Sequence, residues 1–163
     1  MARTETPTYP KVGAKAPAFS APASDGRTVS LADFKGRTVV LYFYPKDNTP
    51  GCTVEACGFR DRHDQLTRAG VVVLGVSPDS GASHRKFIDQ FDLPFTLLAD
   101  EDRRICNAYG VWREKKMYGR KTLGVARTTF VIDPQGRVAH VFEKVKPQGH
   151  DEEVLAWIKQ NLK

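Results

Sequence analysis

The run Thr38-Val39-Val40-Leu41-Tyr42-Phe43-Tyr44 and the run Val71-Val72-Val73-Leu74-Gly75-Val76 are apolar almost throughout, with no polar alternation. Such runs belong to strands covered on both faces. Between them lies a Pro/Asn/Thr/Pro/Gly loop and then residues 52–68, which lack proline and carry glycine only at position 58. Gly70 stands where a helix would stop, so the stretch predicts a helix starting at or just before Cys52. A strand, helix, strand order with two buried strands requires parallel pairing, because a crossover helix must return the chain to the same edge. This unit restricts the chain to an α/β fold and puts the Pro/Gly loop at a strand-to-helix junction.

The rest of the chain fits around it. Phe19–Ala23 and Thr28–Ser30 flank the turn signal Ser24-Asp25-Gly26 and predict an N-terminal hairpin. Ser77-Pro78-Asp79-Ser80 offers caps for a helix carrying Phe87, Ile88 and Phe91. Thr128–Ile132 and Val138–Phe142 flank Asp133-Pro134-Gln135-Gly136, which predicts an antiparallel hairpin. Asp151-Glu152-Glu153 opens a closing amphipathic helix with Val154, Leu155, Ile158 and Leu162 on one face and Lys159 and Lys163 near its end. Parallel strands first, an antiparallel hairpin last and helices on both faces make a thioredoxin-like arrangement: a central mixed β-sheet flanked by helices, preceded by a β-hairpin.

The 163 residues fit one domain, with residues 1–10, rich in Thr and Pro, expected as a flexible tail and residues 11–163 as the folded unit. Hydrophobic residues at 40% and charged residues at 27% exclude a disordered chain. The N-terminus has no apolar core of the kind a signal peptide needs, and no stretch is long enough to span a bilayer, which points to the cytoplasm. In that compartment three cysteines do not make a structural disulfide framework, and any disulfide should be transient. The net charge of +6 is densest at Arg113-Glu114-Lys115-Lys116 and Arg120-Lys121, near Trp112 and Tyr118. Without a nucleic-acid motif beside it, this stretch reads as a solvated loop.

Cys52 is where the chemistry concentrates. A cysteine at a helix N-terminus meets the positive end of the helix dipole and unpaired backbone N–H groups, both of which favour thiolate over thiol. Gly51 lets the backbone approach a ligand, and Pro45 and Pro50 fix the loop. The Thr49 hydroxyl can donate to one peroxide oxygen and accept from the peroxide hydrogen without titrating near neutrality. Cleaving an O–O bond builds negative charge on the leaving oxygen, so a permanently charged planar donor is wanted, and Arg127 before Thr128 is the candidate.

Pro45-x-x-x-Thr49-x-x-Cys52 resembles the active-site motif of peroxiredoxins. Tyr44-Pro45, Thr49-Pro50-Gly51-Cys52-Thr53-x-Glu55-Ala56-Cys57, Tyr109-Gly110-Val111-Trp112 and Arg127–Asp133 are similar to the bacterioferritin comigratory protein, or peroxiredoxin Q, subgroup over residues 11–163. The resemblance implies a peroxidase acting on hydrogen peroxide and organic hydroperoxides, with Cys52 as attacking thiol and thioredoxin or a similar dithiol as reductant. It also implies a monomer without cofactor or metal. Attack on peroxide leaves a sulfenic acid that a second thiol can capture. Cys57 is the nearest thiol in sequence, and the resemblance assigns it as the resolving residue. On a regular helix five residues separate two Cα atoms by roughly 8–9 Å. A disulfide spans no more than about 7 Å, so the first turns must unwind before the bond can form. Gly58, a poor helix former, suits such melting.

Cys106 matches no motif position and reads as a packing residue. Cys52, Cys57 and His63 are close in sequence, yet C-x4-C-x5-H is not a paired metal-ligand pattern, and His84, His140 and His150 read as surface or packing residues. Glu55 either orients the helix start, tunes its acid-base surroundings or is a plain dipole partner. A thiol-disulfide exchanger on the same fold would need cysteine at position 55, where Glu stands. The remaining alternative is a non-catalytic nucleic-acid-binding module using the basic stretch 113–121.

Overall fold

In the computed structural model, residues 8–117 and 119–162 are described, so residues 1–7 of the expected tail, Tyr118 and Lys163 lie outside the described residues. A five-stranded sheet runs in the order β5-β4-β3-β8-β9, made of β3 (Thr38–Phe43), β4 (Val71–Ser77), β5 (Thr96–Ala99), β8 (Thr128–Ile132) and β9 (Val138–Phe142). β3 and β4 pair in parallel, as do β4 and β5, while β8 lies antiparallel to both β3 and β9. The sheet is therefore mixed. The N-terminal hairpin is present as β1 (Ser20–Pro22) against β2 (Thr28–Ser30).

Successive side chains of a strand point to opposite faces, and the core divides accordingly. Val40, Tyr42, Val73 and Val131 face four helices, α1 (Pro50–Asp61), α2 (His63–Arg68), α3 (Gly81–Phe91) and α5 (His150–Asn161). These helices contribute Phe59, Leu66, Phe87, Val154 and Ile158. Val39, Leu41, Phe43, Leu74 and Phe130 face the other way, onto the N-terminal hairpin and α4 (Arg104–Ala108) with its Ile105 and Cys106. Full burial of each such side chain stabilises the fold by about 1.5–3 kcal/mol.

Two expectations need correction, and one residue gains a role. The basic stretch is not a loop: Trp112–Met117 (β6) pairs antiparallel with Arg120–Val125 (β7). Lys and Glu are weak strand formers in isolation, but a ribbon sets their charges across strands, and Glu114 meets Lys121 at 3.7 Å. Secondly, the helix expected over 52–68 is two helices. Arg62 leaves helical geometry between them and turns its guanidinium onto α5, 3.1 Å from Asp151 and 2.6 Å from Glu152. Gly58 has a packing role. A Cβ there would stand 2.6 Å from Asp151 Oδ1, so any larger residue would push the Asp151 carboxylate aside where α1 meets α5.

Candidate active site

Between β3 and α1 the loop residues Tyr44 to Thr49 deliver the chain to the helix start. Thr49 is the N-cap with extended backbone, Pro50 occupies the first turn, and Thr53 N–H bonds back to the Thr49 carbonyl at 2.9 Å. Helix geometry leaves the N–H groups of Gly51 and Cys52 without an intrahelical partner, and proline at the first position removes the third donor. Cys52 lies in that first turn with its side chain in the core face and only 1% exposed.

The opposite wall is β8. Arg127 precedes it, its own carbonyl held by Val145 N–H at 3.1 Å. Its guanidinium forks: Nη2 donates to Cys52 Sγ at 3.3 Å and Nη1 donates to Glu55 Oε1 at 2.7 Å. A planar fork can serve a thiol and a carboxylate at once, and a lysine ammonium on this backbone could not hold both in that geometry. Gly51 eases the approach, since a Cβ there would stand 3.2 Å from Arg127 Nη2 and 3.4 Å from Pro147 and would push the guanidinium back by a few tenths of an ångström.

Of the residues singled out from the sequence, Cys52 and Arg127 are thus in direct contact. Thr49 sits at the helix cap and donates its hydroxyl hydrogen to the Lys46 carbonyl at 3.0 Å, which leaves its oxygen lone pairs available to accept. Pro45 is half-buried at the end of β3 and enters through the shape of the loop. Cys57 lies on the same helix as Cys52, half-buried, and both thiols are free. Cys106 is buried on the opposite side of the sheet from Cys52. Burial and the neighbouring Asp100 carboxylate push its thiol well above the ordinary range.

Glu55 is a plain dipole partner in no sense, because it is buried and paired. Burial pushes its carboxyl up to about 7, against the opposing pull of Arg127. Its second oxygen and the Tyr42 hydroxyl are buried without hydrogen-bond partners among the described residues. Because the folded state holds the Glu55 proton more tightly than an unfolded chain does, folded protein binds more protons between about pH 4.5 and 7, and stability falls as pH rises through that window. Glu55→Gln is expected to flatten this fall by up to about 3 kcal/mol, read from denaturant melts of both proteins at pH 4.5 and pH 8.

The histidines divide by environment. His84 and His150 are buried and hydrogen-bonded, whereas His140 stacks on Trp157 with ring centroids 4.7 Å apart. Among the described residues, one trio of metal-type side chains converges, Asp47, Asp79 and His84, away from the Cys52, Cys57 and His63 set.

Residues 12–141 match the family model described as the AhpC/TSA family. Peroxiredoxin Bcp of Escherichia coli is 48% identical over 151 residues, covering 93% of this chain and 97% of the relative. The chain belongs to the AhpC/TSA family as a peroxiredoxin of the Bcp and PrxQ group. A putative peroxiredoxin bcp of Coxiella burnetii is 54% identical over 145 residues, 89% of this chain and 96% of the relative. Among solved structures, a cysteine-to-serine mutant of PrxQ from Xylella fastidiosa superposes with a TM-score of 0.91 at 35% identity, covering 96% of this chain and 99% of that one. The bacterioferritin comigratory protein of Xanthomonas campestris, studied for alkyl peroxide reduction, gives 0.88 at 38% identity, with coverage of 94% and 100%. As a peroxiredoxin the chain is a thiol peroxidase, an oxidoreductase with a thioredoxin-like fold.

Proposed function

We propose that the domain over residues 11–163 reduces hydrogen peroxide and organic hydroperoxides through a Cys52 sulfenic acid, with Cys57 as the resolving thiol and thioredoxin or a similar dithiol as reductant. The observation that carries this reading is the 3.3 Å bond from Arg127 Nη2 to Cys52 Sγ at the start of α1. The guanidinium donates where a thiolate would sit, and the first-turn N–H groups of α1, unpaired within the helix, are the further donors this reading assigns to the charge that develops on the departing oxygen.

The cycle balances in three steps. The Cys52 thiolate attacks one peroxide oxygen while Arg127 donates to the peroxide and the Thr49 oxygen accepts from its hydrogen. The O–O bond breaks, the S–O bond forms, and the leaving oxygen takes a solvent proton to depart as water or alcohol. The Cys57 thiol then displaces hydroxide from the sulfenic acid, releasing water and forming the Cys52–Cys57 disulfide. A dithiol reduces that bond and is itself oxidised. Pro45 supports the first step by holding the loop that presents Thr49.

The choice of Cys57 is supported by the positions of the three thiols. Cys106 lies across the sheet, and α3 carries no cysteine. Cys57 shares α1 with Cys52, so the helical span of roughly 8–9 Å applies and the first turns must open. We also propose that the protein works as a monomer. No helix of the described residues is long and apolar enough to cross a membrane.

A Cys57→Ser variant tests the division of roles. It should consume one equivalent of peroxide and then stall, with Cys52 trapped as sulfenic acid, and an external thiol should restart it. Continuous turnover with the dithiol reductant at the wild-type rate would remove Cys57 from the cycle.

A further inference from the structure

A second buried polar cluster stands behind the active-site loop, and the chemistry above makes no use of it. Asp47, in the middle of that loop, is 7% exposed. Its Oδ1 accepts from the Tyr44 hydroxyl at 2.5 Å, and its Oδ2 accepts from the Ser83 hydroxyl at 2.8 Å and lies 2.7 Å from His84 Nδ1. Its own N–H donates to Asp79 Oδ2 at 2.7 Å, and the same oxygen accepts from Ser77 Oγ at 2.8 Å. His84, on α3, is fully buried, and its Nε2 lies 2.9 Å from the Leu98 carbonyl on β5.

The hydrogen-bond inventory defines what this cluster is. A backbone carbonyl only accepts, so His84 Nε2 carries a hydrogen and donates to Leu98. Two lone pairs cannot face each other at 2.7 Å, so the contact between Nδ1 and Oδ2 also contains a proton, whichever atom holds it. Asp47 and His84 thus form one proton-sharing unit in which every polar side-chain atom is engaged. Buried networks of this kind are rigid when complete and costly when broken. The groups facing the pair are Tyr44 from the end of β3, Asp79 and Ser83 from the turn and first residues leading through α3, and the Leu98 carbonyl from β5.

What the cluster holds is the peptide that leads to Cys52. Asn48 follows Asp47 with φ 61°, a conformation rare for a side chain other than glycine, and Thr49 then caps α1. A loop in this conformation needs a partner that over-determines it. We propose that the Asp47–His84 pair is a positioning device for the peroxidase site: it pins the loop to α3 and β5, and so fixes the Thr49 hydroxyl and the first turn of α1 relative to Arg127. The inference rests on the reading of Cys52 as the attacking thiol. Asp47 and His84 act through Thr49 and Cys52, without touching the peroxide.

The test compares two electrophiles and one structural readout in Asp47→Asn, which keeps the side-chain shape, and in His84→Gln. Hydrogen peroxide needs oriented partners around Cys52, whereas iodoacetamide needs only an accessible thiolate. Both variants are expected to slow oxidation by peroxide by about tenfold to a hundredfold, while alkylation of Cys52 by iodoacetamide stays within about twofold. Amide hydrogen exchange at residues 46–52 should rise with the central strands unchanged. Equal slowing of both electrophiles, or unchanged exchange at residues 46–52, would overturn the proposal. If wild-type protein itself fails to react with peroxide, the peroxidase reading of Cys52 fails, and the exchange measurement still decides whether the pair holds the loop.

Discussion

Cys52→Ser is expected to leave no more than about a thousandth of the wild-type peroxide consumption, with the fold intact. Serine is nearly the same size as cysteine, so the cluster around position 52, which includes Ala56 and Phe59, keeps its packing. The serine oxygen can still accept from Arg127, and the change in stability should be no more than about 1 kcal/mol. On the proposed role, what is lost is the nucleophile, because a serine hydroxyl attacks peroxide oxygen far more weakly than cysteine sulfur. The measurement is peroxide loss with a dithiol reductant supplied, paired with a thermal melt of the same sample. Substantial turnover in a folded variant would place the chemistry elsewhere.

Arg127→Leu is the second large effect, and it acts on two partners together. Leucine removes the donor to Cys52 Sγ and the donor to Glu55 Oε1, and leaves a carboxyl that is 1% exposed with no partner on either oxygen among the described residues. The rate of Cys52 oxidation is expected to fall by about 10²- to 10³-fold, the cost of removing a preorganised donor from a developing negative charge. Glu55, already pushed up to about 7 by burial, loses the one neighbour that holds it down. Its proton therefore stays on to higher pH. The sign follows from linkage: the folded variant binds more protons than the unfolded chain over a wider range, so its stability keeps falling with rising pH where wild type has levelled off. Arg127→Lys retains charge but offers no fork, and should recover rate only in part. Stopped-flow oxidation rates and melts across pH read both halves.

Much of this site could be read from residues close together in the chain. The two apolar runs sufficed to predict β3 and β4, because fully buried strands carry their own signal, and the start of a helix at Cys52 was visible while its break at Arg62 was not. The spacing from Pro45 to Cys52 marked the loop. What stayed hidden depends on partners far away in sequence. The helix break at Arg62 answers to acids 89 and 90 positions later. The burial of Glu55 is compensated from 72 positions away, and the anchoring of Asp47 from 37. Nothing local distinguishes a buried Asp or His from a solvated one. Gly58 shows the limit from the other side, since its weak helix propensity was visible and its approach to Asp151 was not. The β6–β7 ribbon was missed for a different reason, charge density outweighing strand pattern in a stretch rich in Lys and Arg.

The central claim is that Cys52 and Cys57 close a disulfide after α1 opens. Tryptic cleavage after Lys46 and Arg60 yields a single peptide, residues 47–60, that carries both thiols. After one equivalent of hydrogen peroxide, this peptide should be lighter by two hydrogens and resist alkylation, with Cys106 still alkylated on its own peptide. A peptide 47–60 that keeps its reduced mass while peroxide is consumed, or a link from Cys52 to Cys106, would contradict the account.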